Sequence, residues 1–72
     1  MTVARITEIS SSSKKSFEDA VENGVDRACK TLKNVTSAWV KDQEVKIKNG
    51  KIDAYVVKLK ISFVLNLSLI HI

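Results

Sequence analysis

The chain has 72 residues, of which 44% are hydrophobic and 28% are charged, and its formal net charge is +4. A chain of this length forms one domain and buries only about 60% of the surface that its unfolded form exposes, so it is marginally stable without a further constraint. One cysteine and one histidine exclude an internal disulfide and give no zinc-binding spacing, which leaves self-association as the source of extra stability.

The first predicted element is a short strand. Residues 3–9 are rich in β-branched side chains, which favour a pleated, half-buried conformation. Four consecutive serines follow at positions 10–13, and we interpret them as a linker that leads into the next element.

An amphipathic helix is predicted next, from Phe17 to Leu32 or Lys33. Ser16 is its expected N-cap, because acidic residues follow in the first turn, where the helix dipole favours carboxylates; Asn34 ends it. Apolar residues and one glycine recur at helical spacing: Phe17, Val21, Gly24, Val25, Ala28 and Leu32. A glycine on this stripe, Gly24, predicts close packing of the helix on the sheet or on a neighbouring helix.

The clearest local signal is Asn49-Gly50 between two segments of alternating character, which predicts a β-hairpin with a two-residue turn. Such a turn pairs Lys48 with Lys51 and fixes the register of the whole hairpin. The predicted helix-facing set is Ala38, Val40, Tyr55, Val57, Leu59, Ile61 and Phe63. The predicted opposite set is Ser37, Trp39, Lys41, Gln43, Val45, Ile47, Ile52, Ala54, Val56, Lys58 and Lys60. Apolar residues in this second set have no cover within one chain, which favours an interface or a ligand site.

Together these elements predict an α+β fold of β-α-β-β order in a single domain over residues 1–65. Residues 66–72 are an atypical apolar tail with one histidine, His71. This tail would extend the last strand, contact another subunit or be a non-native addition, and the sequence leaves the three alternatives open.

Several function classes find no support in the sequence. The N-terminus lacks the basic and apolar regions of a signal peptide, and no apolar stretch approaches the roughly 20 residues of a membrane span, so we expect a cytoplasmic protein without membrane contact. The lysines are dispersed rather than clustered, which favours a solvated or anion-attracting surface over nucleic-acid binding. We expect no enzymatic activity, because no base–nucleophile pair or glycine-rich phosphate loop is present.

The order of these elements, with particular residues in them, resembles the dodecin family. The matching segments are residues 12–20, 25–28, 31–35 and 40–43, then Tyr55 and residues 59–63. The resemblance covers residues 2–65 and implies a three-stranded antiparallel sheet curled around one helix. It also implies a hollow homododecamer that holds flavins in pairs, stacked between tryptophans, and that stores or sequesters them without catalysis.

This chain departs from the family at four ligand positions. The family's stacking tryptophan aligns with Ser37, and its flavin-contacting glutamine aligns with Val56. The positions at which FMN-binding bacterial members tend to carry arginines are Glu44 and Val64. The resemblance alone therefore does not establish a flavin site of the usual composition.

A displaced pocket is the first hypothesis. Trp39 lies two residues after Ser37 on the same predicted face, and the predicted register places Gln43 opposite Val56. Trp39 would stack on FMN or riboflavin, and Gln43 would bond the ring edge. A lysine would meet a phosphate: Lys41, Lys58 or Lys60.

Two alternatives remain open. Trp39 would otherwise serve as an apolar anchor between subunits. Family branches without the tryptophan bind cations or no flavin, which gives the second function hypothesis, a flavin-less shell that binds a divalent cation at its symmetry axes. Asp42 and Glu44, placed by the predicted register on the helix-side face near the sheet rim, are candidate ligands together with their symmetry mates.

Overall fold

The computed structural model describes residues 3–65 of the chain. Its elements are β1 (Val3–Ser13), α1 (Phe17–Thr31), β2 (Val35–Lys48) and β3 (Lys51–Leu65). The strands form one antiparallel sheet in the order β1-β3-β2, so the last strand is central and the other two are edges. The predicted β-α-β-β fold is confirmed, and the tail at 66–72 lies outside the described residues.

β1 is longer than predicted, and the interpretation of residues 10–13 as a linker is wrong. Ser10 and Ser13 pair with Lys58 and Tyr55, and the two serines between them continue the same register. Serine has little intrinsic strand preference, so pairing with the central strand decides the local conformation.

The small serine side chains also let α1 approach the sheet closely. A Cβ atom placed on Gly24 would lie 2.8 Å from Leu59 Cδ1 and 3.0 Å from Ser11 Cβ, which is too close for normal packing. The prediction that Gly24 marks close packing of the helix on the sheet is therefore confirmed, and a serine at position 11 is part of the reason that the contact fits.

α1 begins as predicted and ends slightly earlier. Ser16 is the N-cap, and its Oγ accepts a hydrogen bond of 2.9 Å from the Asp19 N–H. The helix ends at Thr31, and Leu32 is an extended C-cap whose N–H donates to the Ala28 carbonyl. Asn34, with φ of 62°, then reverses the chain into β2.

We call the sheet face under α1 the inner face and the opposite side the outer face. The core lies on the inner face, where Leu59, Ile61 and Val57 are the largest fully buried side chains, together with Ala20 and Ala28 of the helix. α1 covers β1 and β3 and only slightly β2. Val40, expected beneath the helix, is accordingly 44% exposed although it lies opposite buried Leu59.

The hairpin extends well beyond the helix. Asn49 and Gly50 take φ of 54° and 76°, as a two-residue turn of this type requires, and Lys48 pairs with Lys51. The described chain measures 58 × 18 × 13 Å, and its radius of gyration is 15.3 Å. A compact domain of this size has a radius of gyration of about 11 Å, so this elongated chain leaves much of its surface uncovered. Within the described residues, no helix has the length and apolar character needed to cross a membrane.

Candidate functional site

The outer face is organised in rows that cross all three strands, because residues directly opposite in an antiparallel sheet share a face. One row joins Trp39 of β2, Lys60 of β3 and Glu8 of β1. The next row along the sheet joins Asp42, Lys58 and Ser10, and the one after it joins Glu44, Val56 and Ser12. The candidate site is built from these three rows.

A β-bulge at Lys41 overturns part of the predicted register. Val40 lies opposite Leu59, but Asp42 lies opposite Lys58, so Lys41 is an extra residue on β2. Gln43 consequently pairs with Val57 on the inner face, and the expectation that it lies opposite Val56 is wrong. One inserted residue moves every following side chain to the other face until a second irregularity restores the register.

The same bulge moves two acidic residues to the outer face. Glu44 lies opposite Val56, and Asp42 lies opposite Lys58, so their predicted position on the helix-side face is wrong. The sequence holds a signal for this change. The inward-facing residues Ala38 and Val40 have even numbers, whereas the next apolar residue that turns inward, Val45, has an odd number.

Trp39 lies on the outer face and is 44% exposed. The ammonium group of Lys60, its cross-strand neighbour, lies 5.9 Å from the centre of the indole ring, within the range of a cation–π interaction. Ser37 lies one row away on the same face, opposite Ser62. The predicted placement of Ser37, Trp39, Val56 and Lys58 on one face is thus confirmed, whereas their role in binding remains a prediction.

Two shallow cavities flank Lys58. The first, of about 270 Å³, is lined by Asp42, Gln43, Glu44, Val56 and Lys58. The second, of about 340 Å³, is lined by Glu8, Ile9, Ser10 and Lys58. Gln43 therefore borders the first cavity in spite of its changed register, but Trp39 and Ser37 lie outside it. Sites for organic ligands usually measure about 300–1,000 Å³ and enclose most of the ligand. The first cavity is smaller than this range and the second lies at its lower end.

An ion pair spans the sheet beside the tryptophan row. Lys41 Nζ lies 3.0 Å from Glu8 Oε1, which joins β2 to β1 across the central strand. Hydrogen bonding and charge attraction from Lys41 lower the pKa of Glu8, with smaller contributions from Lys60 and Lys58. In turn, Glu8 raises the pKa of Lys41.

Sequence reasoning missed Glu8 altogether. The two partners of this ion pair are 33 residues apart in the chain, and only the strand order β1-β3-β2 brings them to the same part of the face. Strand order follows from tertiary packing rather than from any local pattern, so the residues by themselves offered no signal for this contact.

The acidic pair does not form a complete cation site in one chain. Glu44 Oε2 lies 3.7 Å from Lys46 Nζ, and Asp42 faces Lys58 across the strand pair. Within residues 3–65, no three His, Cys, Asp or Glu side chains are grouped closely enough to hold a metal ion. A hard cation here would need carboxylates from further copies or water.

Comparison with known proteins identifies clear relatives. The family model described as Dodecin matches residues 3–66. A dodecin from Streptomyces davaonensis is similar in structure with a TM-score of 0.86 and 29% identity, over 90% of this chain and 96% of that one. A dodecin from Streptomyces coelicolor has the same TM-score and 31% identity, over 90% and 93% of the two chains.

A third similar structure is a calcium dodecin from Mycobacterium tuberculosis, described as a calcium-chelating immunodominant antigen with a calcium-binding site. Its TM-score is 0.76 and its identity is 32%, over 85% of this chain and 87% of that one. Among curated proteins, the sequence search found no match.

Proposed function

The chain belongs to the dodecin family, and we propose that it is a cytoplasmic, non-enzymatic homododecamer that binds and stores FMN, riboflavin or a related planar anion on its outer face. Dodecins are small homo-oligomers that typically bind flavins and generally act in binding and storage. The observation that carries the proposal is the position of Trp39. Its indole is exposed on the outer face with Lys60 above the ring, and residues of the neighbouring rows line a cavity.

The chemistry of this position suits a flat, electron-poor ring. An indole gains buried area and stacking energy when a planar heterocycle covers it, and Trp39 has 44% of its surface left to cover. The positive charges of Lys58 and Lys60 suit a ligand with a negative group. Gln43 borders the adjacent cavity and supplies an amide that donates to and accepts from a ring edge.

Assembly is the second half of the proposal. Within residues 3–65, α1 covers β2 only slightly, and the residues of β2 are exposed except for the partly buried Val35 and Val45. Apolar side chains such as Ile47 and Ile52 are 67% and 53% exposed at the end of the hairpin. Burying these surfaces between copies would stabilise the small domain and complete the walls of the cavity.

A flavin titration tests the proposal. Stacking quenches flavin fluorescence, so adding the purified oligomer to riboflavin should reduce its emission, and the native mass should equal twelve chains. Trp39→Ala should abolish the quenching, whereas Trp39→Phe should retain a weaker effect because a smaller ring still stacks. Cys29→Ala, which changes an exposed side chain of α1 away from the outer face, is the control. Equal affinity in the Trp39→Ala variant would contradict the proposal.

A second function, cation binding without flavin, is supported by one observation. The bulge places Asp42 and Glu44 on the same outer face beside one cavity, and a similar dodecin is a calcium-binding protein. If this function holds, calcium should raise the melting temperature of the oligomer, and the double variant Asp42→Asn/Glu44→Gln should lose that rise. Calcium-independent melting of the parent protein would contradict it.

A further inference from the structure

The side chain of Lys41 forms a strap across the outer face. It starts on β2, passes over the central strand and ends 3.0 Å from Glu8 on β1. Lys41 is the extra residue of the bulge, and it lies on the outer face, where the predicted alternation also places it. Both side chains remain about half exposed, at 45% and 52%, so the contact is held in water and not in the core.

The strap lies among an excess of positive charge. Lys58 and Lys60, in the two rows that the strap passes, form no ion pair within 4.0 Å among the described residues. The charges of Lys41, Lys60 and Lys58 all lower the pKa of the Glu8 carboxyl group. Three ammonium groups thus lie near two carboxylates, those of Glu8 and Asp42, beside the exposed ring of Trp39.

We propose that Glu8 and Lys41 determine whether the site prefers a planar ligand with a phosphate group over the same ligand without one. In this proposal Lys41 leaves Glu8 and joins Lys58 and Lys60 around the phosphate. The inference rests on the proposed function, because it assumes that a planar ring occupies Trp39.

Moving the Lys41 ammonium group from Glu8 to the ligand is favourable if the ligand carries a phosphate. It gains nothing if the ligand is neutral. A phosphomonoester carries a charge of about −1.5 to −2 at neutral pH and three acceptor oxygens, against a single charge on Glu8. Releasing Glu8 costs little, because the carboxylate is half exposed and water solvates it. A ligand that lacks the phosphate offers Lys41 nothing in place of Glu8.

FMN and riboflavin test the inference directly, since they share the ring system and differ by one phosphate. The measured quantity is the ratio of the riboflavin to the FMN dissociation constant, obtained from fluorescence quenching by the intact oligomer. Glu8→Gln removes the competing carboxylate and should raise this ratio by about fivefold, whereas Lys41→Gln should lower it by a similar factor. Lys51→Gln removes the same charge at the distant hairpin turn and should leave the ratio unchanged.

The ionic-strength dependence of the parent protein gives a second measurement that needs no variant. The preference for FMN should shrink as salt increases, while riboflavin binding changes little. A ratio that is the same in the parent, Glu8→Gln and Lys41→Gln proteins, with riboflavin still quenched through Trp39, overturns this inference and leaves the proposed function standing. Absence of quenching with either flavin overturns both.

Discussion

The two faces of the sheet are completed in different ways. On the inner face, Val57, Leu59 and Ile61 are 0%, 1% and 0% exposed, and one helix of the same chain covers them. On the outer face, Trp39 and Ile6 remain 44% and 56% exposed among charged side chains. The inner face therefore determines whether a single chain folds, and the outer face determines what the folded chain binds or assembles with.

β3 makes this comparison unusually direct, because its alternate residues belong to opposite faces. Leu59 is part of the buried core, while Lys60, the next residue, lies beside Trp39 on the outer face. Substitutions at these neighbouring positions change the same strand between the same two neighbouring strands. A difference between their effects on stability therefore reflects which face of the sheet the side chain occupies.

The largest expected effect comes from Leu59→Ala. Removing this fully buried side chain should lower the free energy of unfolding by about 3 kcal/mol, because it loses buried apolar area and leaves a cavity. Urea denaturation at a fixed protein concentration measures the change. Lys60→Ala, the matched control, should stay within about 0.5 kcal/mol of the parent. Equal losses at the two positions would contradict the division between the faces.

A smaller loss is expected from Gly24→Ala, which tests how closely α1 approaches the inner face. Overpacking against Leu59 and Ser11 should cost about 1–3 kcal/mol, and the better helix propensity of alanine should return about 1 kcal/mol. The net result should be a lower melting temperature. Cys29→Ala, at an exposed position of the same helix, serves as the control and should have little effect. Stabilisation by Gly24→Ala would show that the helix lies farther from the sheet.

The inner face was largely predictable from the sequence because its signals are local. The periodic stripe on α1 identified the buried helix face, Ser16 identified its start, and Asn49-Gly50 identified the hairpin turn. Gly24 indicated the close contact with the sheet. Each of these signals concerns residues within one or two turns of the chain, where sterics and hydrogen bonding leave few alternatives.

The outer face was only partly predictable because its geometry depends on long-range pairing. Trp39 and Lys58 were placed correctly, but the bulge at Lys41 exchanged the faces of Gln43 and Glu44. The serines at 10–13 join β1 only because β3 offers them partners. Small departures from a regular ladder therefore decide which side chains meet at the candidate site, and these departures are weakly encoded in any local pattern.

The smallest expected effect concerns the ion pair between Glu8 and Lys41 on the outer face. Lys41 lowers the pKa of Glu8, so the contribution of this carboxylate to stability is present above its ordinary pKa and is lost as the pH falls through the lowered value. The pKa of Lys41 is raised, so its contribution is present below its ordinary pKa and is lost as the pH rises through the raised value. Both losses should be slight, because the two groups are exposed to solvent.

An NMR titration of the Glu8 carboxyl carbon detects this pair more sensitively than unfolding does. In the parent protein the carboxyl should titrate below the ordinary glutamate range, and in Lys41→Gln its pKa should rise toward that range, since the hydrogen bond and the nearest charge are gone. Lys14→Gln breaks the exposed ion pair with Asp53 instead, and it should leave the Glu8 titration unchanged. If Glu8 has the same pKa in the parent and Lys41→Gln proteins, the strap does not form in solution, and Lys41 is free of Glu8 on the outer face.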